Sequence, residues 1–469
     1  MDDFVRSRNT GSTRASSWRR GGQRTKFSDR GKKEPGPPTN SQASKSLPPS
    51  VDRAGALLAS IYVHQITLET LLDDEKPAIR DCQYVASYNW LDKKTATILV
   101  PGMTIYSSAR QTLTIKLIQG SPPAYLPPKD VPTLKQDSGT YFRDTNAARY
   151  PLFPLEPAIR ALLISKPDFD CSNLDIVGCG STLGCVVSAA RGEERTFHFG
   201  VERIGNTVFF VRQGASPKEV MEGVRGYGHT FPEAYTSWDA DVKGSASHQR
   251  LTQYRFGNLR CLIRSESDGY FPDLVVRKCK ADGPAILNGD DASGLQSAAA
   301  SLSVSEKVIG KPDKLVIQIA GHAIPQSAIF DLKTRSARRD IDIDEFLPRL
   351  WVNQIPNFII ARHDSGKFQD IQKKDVRAAV KDWEQKNEGM LGRLHTVLSQ
   401  LIKMTEQADC SRIQVTREML GPLRIRKATQ DWSALPTKLK MKWEGKAPAE
   451  ETLSDSDSEE EDQDDYLKF

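Results

Sequence analysis

The chain has 469 residues, of which 38% are apolar, 27% charged and 8% aromatic, enough to bury a sizeable core while leaving charged stretches outside it. Sixty-five Lys and Arg against sixty Asp and Glu give a net charge of +5, an average that hides two ends of opposite sign. No run approaches the roughly 20 apolar residues that span a bilayer, and no apolar secretory core follows the N-terminus, so the sequence reads as soluble.

Residues 1–33 hold ten Arg or Lys and three acids, and Pro35-Gly36-Pro37-Pro38 follows. The reading for 1–50 is a disordered basic arm, either attracting phosphate backbones with Trp18 and Phe27 as stacking groups or simply solubilising the chain. From 51 to 440 the pattern is that of one large domain. Ala54–Leu58 and Thr95–Val100 are apolar segments, and Pro122–Pro132 marks an exposed loop. Glu156–Ile164 reads as a helix. Thr196–Val201 and Thr207–Val211 read as two strands around the turn pair Gly205-Asn206, a β-hairpin.

Leu259–Arg264, Leu315–Ala320 and Ala328–Leu332 are further strands, and the Gly/Ser/Ala-rich stretch 281–303 reads as an inserted loop. Ile343–Trp351 looks helical and Phe358–Ala361 like a short buried strand. Val376–Met404 has apolar residues at helical spacing and reads as one long helix interrupted at Gly389. Residues 441–469 form a disordered acidic tail, with ten Asp or Glu and no basic residue in 450–465. Seven cysteines (82, 171, 179, 185, 261, 279 and 410), odd in number and without a C-x-x-C pair, suit the reducing cytosol or nucleus rather than a disulfide framework.

Two strands carry the chemistry. Leu259–Gly269 is an apolar run that ends in Glu266 and Asp268, which period two places on one face. Ile329–Lys333 delivers Asp331 and Lys333 to one side with Leu332 pointing away. Three carboxylates and an ammonium aimed at one point suit metal-assisted phosphodiester hydrolysis, because Mg²⁺ and Mn²⁺ prefer hard oxygen ligands and clustered acids without a cation repel one another. The plainer alternative is a set of solvated charges on an exposed strand face. Lys243 and Arg250, in a stretch that reads as a surface loop (Gly244–Arg250), and Arg335 are candidate substrate contacts. Gly178–Gly184 lacks the Walker lysine and reads as a turn before a helix. His229, His248 and His322 are scattered and read as structural.

Asp331-Leu-Lys333 after a strand carrying Asp268 resembles the PD-(D/E)XK nuclease pattern. Five blocks in order, within residues 174–368, resemble the DXO family of RNA decapping and 5′-end quality-control nucleases. These are the hairpin Thr196–Phe210, the segment Gly226-Tyr-Gly-His-Thr-Phe231-Pro-Glu233, the E-x-D motif at Glu266 and Asp268, the E-x-K motif as Asp331-Leu-Lys333, and Trp351–Gly366. The resemblance implies an α/β (α+β) fold with a mixed central sheet flanked by helices. It implies that Glu233, Glu266, Asp268 and Asp331 ligate one or two Mg²⁺ or Mn²⁺ ions, and that Lys333 supports the nucleophile beside Gln354, or Asn353 because the spacing is shortened. It further implies RNA 5′ ends as substrate, decapping with 5′→3′ exoribonuclease activity, and a 5′→3′ exoribonuclease as partner. One departure stands out: Gly180 occupies the place where the family's first motif carries an arginine. Arg149, Arg191 or Arg203 are spatial substitutes, and the alternative reading is a catalytically impaired relative that binds RNA ends or an exoribonuclease.

Overall fold

The computed structural model describes residues 55–66, 77–100, 121–213, 216, 218–221, 223–276, 315–407, 411–429 and 432–446, together with the backbone of two strands between 102 and 118. The basic arm, the 281–303 insertion and the acidic tail from 447 onward lie outside the described residues.

In chain order the strands are β1 (Leu57–Ile61), β2 (Ile79–Leu91), β3 (Thr97–Val100), β4 (Gly102–Ser107), β5 (Leu113–Ile118), β6 (Ala124–Tyr125), β7 (Ile176–Cys179), β8 (Phe197–Ile204), β9 (Thr207–Arg212) and β10 (Thr236–Ser237). Then come β11 (Ser245–Phe256), β12 (Leu259–Ser267), β13 (Gly269–Tyr270), β14 (Val316–Ile319), β15 (Ile329–Ser336), β16 (Asn357–Asp364), β17 (Lys367–Asp375), β18 (Arg412–Arg417) and β19 (Leu423–Lys427). The α-helices are α1 (Thr145–Arg149), α2 (Glu156–Ser165), α3 (Gly180–Ala190), α4 (Thr230–Tyr235), α5 (Pro272–Val276), α6 (Leu347–Asn353), α7 (Arg377–Lys386), α8 (Glu388–Met404) and α9 (Thr437–Trp443).

Eleven strands form one mixed sheet, in the order β1-β19-β18-β8-β9-β7-β12-β11-β2-β3-β14, and six form a second, in the order β10-β6-β13-β15-β16-β17. Among the described residues, β4 and β5 form a separate two-stranded pair. The fold is the mixed α+β architecture that the sequence led us to expect. β12 sits in the middle of the large sheet, parallel to β7 and antiparallel to β11. Its near-continuous apolar run follows from burial on both faces: Cys261 and Ile263 join one core, Leu262 the other.

One core contains α3, α6 and α8, which pack between the two sheets. It unites Val201, Val208 and Phe210 of the large sheet with Phe358 and Ile360 of the small one. The other core lies under α2 and α9 on the opposite face of the large sheet. A third, formed by Phe231 and Tyr235 of α4 with Leu332, Ile359 and Phe368, covers the outer face of the small sheet.

The β8–β9 hairpin closes as the sequence predicts, with Ile204 opposite Thr207 and Gly205 at φ +61° in the turn. The long helix does break, but at Asn387 rather than Gly389. The Asn387 side chain donates to the Trp383 carbonyl at 2.8 Å, the local competition with the helix ladder that Asn favours. Helix α9 carries folded structure past residue 440, because Trp443 is buried against Phe209.

Candidate active site

The site forms where the chain passes from one sheet to the other. β12 ends at Ser267 in the large sheet, Asp268 spans the gap, and β13 begins at Gly269 in the small sheet, opposite Phe330 of β15. The crossing is tight. A Cβ on Gly269 would lie 2.6 Å from the Pro123 carbonyl oxygen and 2.5 Å from the Phe330 ring, so only glycine brings Asp268 this close to β15.

β15 alternates as the sequence suggests. Phe330 and Leu332 turn to the outer core, while Asp331 and Lys333 take the opposite side. β15 and β16 run parallel and are joined through α6, a β-α-β crossover that lays α6 over the strand. Arg349 of α6 reaches down so that its Nη2 lies 2.8 Å from Asp331 Oδ2.

The Leu332 N–H is shared by two carboxylates, Asp268 Oδ2 and Asp331 Oδ1, each at 2.7 Å. Two acids meeting on one donor in a desolvated place cannot both ionise freely. Burial first, and then the Asp331 charge, hold the Asp268 carboxyl well above the usual carboxylate range, with Arg349 opposing. Glu266 lies opposite Gln249 in the register, open to solvent yet ringed by enough protein that desolvation raises it. The Gln249 hydrogen bond, and then the Arg264 charge, pull it back, while the Asp144 and Asp331 charges push it upward. Burial lowers Lys333, helped by Arg335 and Arg349 and opposed by Asp331 and Asp268.

The four expected ligands do not close around one point: among the described residues no group of three or more His, Cys, Asp or Glu side chains is placed to hold a metal ion. Asp268 and Asp331 meet on one N–H, and neither Glu266 nor Glu233 completes such a group with them. Phe231 and Tyr235 anchor α4 in the core, so Glu233, two residues from each, turns outward and is exposed, near Tyr141. Gln354 does not reach the acids either. It caps α6 in the left-handed region at φ +52°, its Nε2 donates back to the Trp351 carbonyl at 2.6 Å, and it lines a separate cavity of about 320 Å³.

Asn353 stands instead against Gly180, where a Cβ would come 1.9 Å from Asn353 Oδ1. No side chain fits at 180. The three arginines weighed as substitutes are engaged elsewhere: Arg149 with the Leu91 carbonyl and Asp92, Arg191 with Glu193, and Arg203 with Glu406.

The stretch 244–250 is also not a loop. It enters β11, a central strand between β2 and β12, and Arg250 is 1% exposed. Its guanidinium stacks on Tyr84 and donates to Gln326 Oε1 and the Ile324 carbonyl, so it holds the core and is not open to a surface phosphate. Lys243 is exposed on the turn leading into β11.

Lys333 and Arg335 open onto a cleft of about 540 Å³ that the sequence did not reveal, lined also by Arg225, His229, Arg338 and Arg339. Its single carboxylate, Asp137, is already engaged, accepting the N–H groups of Gly228, His229 and Thr230 at 2.7–3.2 Å. At the cleft, His229 stacks face to face with Tyr141, ring centroids 3.7 Å apart and planes 6° from parallel. Segments near 225, 335 and 363 build this cleft together. The one sequence signal for it was the basic run from Lys333 to Arg339.

Among solved structures the chain is similar to S. pombe Rai1, with 10% identity, TM-score 0.47, and coverage of 79% of this chain and 99% of that one. It is similar to K. lactis Dxo1 in complex with manganese (9% identity, TM-score 0.42, 80% and 99% covered) and to Candida albicans Rai1 in complex with pU5-Mn²⁺ (9%, 0.45, 80% and 98%). No curated protein matches the sequence. The chain belongs to the family described as "Domain of unknown function (DUF8563)", whose model matches residues 73–443.

Proposed function

We propose that the protein is a metal-dependent hydrolase that cleaves phosphodiester or pyrophosphate bonds at RNA 5′ ends, serving decapping and 5′-end quality control. The observation that carries this reading is the Asp268–Asp331 pair, joined on one N–H, with Lys333 two residues on and facing a cleft lined by four arginines.

The donor set fits a divalent ion of the Mg²⁺ class, which binds through one or two carboxylates and takes its remaining ligands from water and substrate phosphate. Asp268 and Asp331 would hold it, and the chemistry it supplies when bound is polarisation of the phosphoryl oxygen and a lower pKa for water. The chain's own groups do the rest. Arg335, Arg338, Arg339 and Arg225 hold the phosphate backbone in the cleft, and the Tyr141–His229 stack borders it. Lys333, whose ammonium is depressed by burial, orients the attacking water and offsets charge as oxygen bonds to phosphorus and the leaving oxygen departs with a proton.

A second reading, an RNA-end-binding platform or exoribonuclease partner without catalysis, is favoured by the absence, among the described residues, of a third acid at the pair and by the exposure of Glu233 on α4. The two separate in one assay. RNA bearing a 5′-triphosphate, an NAD cap or an incomplete cap is incubated with wild type, Asp268→Ala and Asp331→Ala in Mg²⁺ and Mn²⁺. The hydrolase reading expects cleavage by wild type alone. Equal cleavage by all three, or none by well-folded wild type, sinks it; retained RNA binding without cleavage supports the platform.

A further inference from the structure

Arg349 is half exposed, with 50% of its side chain open, while its partner Asp331 is 9% open, so the guanidinium bridges a buried acid and solvent. Its Nη2 meets Asp331 Oδ2, and a guanidinium has five N–H donors arranged as a fork that matches phosphate oxygens. Arg335 and Arg349 each lie near enough to Lys333 to depress its ammonium. Arg349 thus sits beside both the acid pair and Lys333, with half of its side chain open to a bound anion.

We propose that Arg349 is a substrate-binding residue of this site: its guanidinium grips the phosphoryl group presented to Asp268 and Asp331. This deepens the reading above and rests on it for the identity of the ligand, a 5′-phosphorylated RNA end. In the free protein Arg349 is parked on Asp331. On binding it exchanges that contact for phosphate oxygens, and Asp331 is released toward the reacting group.

The test is fluorescence anisotropy of the full chain with short, phosphorothioate-linked oligouridylates in Mg²⁺, carrying either a 5′-phosphate or a 5′-hydroxyl. Wild type prefers the 5′-phosphate. Arg349→Ala weakens that binding by about tenfold or more, the effect of one charge-assisted hydrogen bond, and erases the preference. The slope of log affinity against log salt falls by about 0.7, as expected for one phosphate contact on a single strand. Arg349→Lys keeps the charge and the salt slope but recovers only part of the affinity, since an ammonium lacks the fork. Thermal melting checks the fold, and if Arg349→Ala melts early, Arg349→Lys against wild type carries the comparison. Arg349→Ala binding like wild type, wild type without preference, or Arg349→Lys equal to wild type in every readout would overturn the proposal. Wild type that shows the preference yet hydrolyses nothing refutes the hydrolase reading and leaves this one standing.

Discussion

Gly180 and Asn353 compete for the same space: the first residue of α3 and the last of α6 stand so close that a methyl group at 180 would come 1.9 Å from Asn353 Oδ1. Asn353 is 9% exposed, so the amide has little room to swing aside. Gly180→Ala should therefore destabilise by about 1–3 kcal/mol through overpacking, outweighing a gain in helix propensity of roughly 0.5–1 kcal/mol. In an Asn353→Ala background the clash is gone and the same change should be neutral or stabilising. Urea unfolding of the two single variants and the double variant measures that coupling, and additive effects would refute the contact.

Glu384 fixes the helix that carries Arg349. It is 5% exposed and accepts the Ile79 N–H and the Trp351 Nε1–H, each at 2.8 Å, while Lys381 Nζ pairs with its other oxygen at 2.5 Å. Removing the acceptor leaves two buried donors and a cation without their partner. Glu384→Ala should cost about 3–5 kcal/mol, and Glu384→Gln, which keeps a carbonyl acceptor, considerably less. Because the Trp351 link holds α6, any residual activity of Glu384→Ala should fall even in the folded fraction. Denaturant midpoints with activity per folded molecule check both statements.

His248 makes stability depend on pH. It is 1% exposed, its Nδ1 lies 2.6 Å from Asn89 Oδ1, and its Nε2 has no partner among the described residues. Asn89 Oδ1 accepts only, so Nδ1 carries the proton of a neutral ring. Burial, and then the nearby Arg250 charge, hold the imidazole well below its ordinary value. The unfolded chain takes up a proton near pH 6.5 that the folded protein refuses, so stability is complete above that value and falls as pH drops below it. The loss approaches about 1.4 kcal/mol per pH unit for this one group. His248→Gln should flatten the fall between pH 6.5 and 5 in chemical denaturation; an unchanged slope would show that His248 does not set it.

What the sequence disclosed was local. The two-residue period of Ile329–Lys333 placed Asp331 and Lys333 together with Leu332 opposed, and Gly205-Asn206 announced its hairpin. What it concealed depends on how separate elements orient one another. Serines, His248, Gln249 and Arg250 gave the start of β11 a loop-like composition, although the strand lies between two others whose ladders satisfy its backbone. Glu233 is decided by which face α4 buries. The pairing of Arg349 with Asp331 needs the β15–α6–β16 crossover, and the arginine cleft needs three distant segments.

Asp268 ties stability to cation binding. Its carboxyl is held up by burial and by Asp331, so at neutral pH, without a cation, ionising both acids costs folding free energy. The sign follows directly. A raised carboxyl destabilises as pH climbs from the ordinary carboxylate range through its folded value, and the penalty persists above it. Asp268→Asn removes the like charge and keeps an oxygen to accept the Leu332 N–H, so in EDTA it should melt above wild type at pH 7. Mg²⁺ or Mn²⁺ relieves the same repulsion, and at about one hundred times its dissociation constant should stabilise wild type by roughly 2.7 kcal/mol. Asp268→Asn should respond far less, and hydrolysis should be lost with it. Differential scanning calorimetry with and without metal provides the comparison. If Asp268→Asn is less stable than wild type in EDTA, or if the two gain equally from the ion, the pair is not where the cation binds.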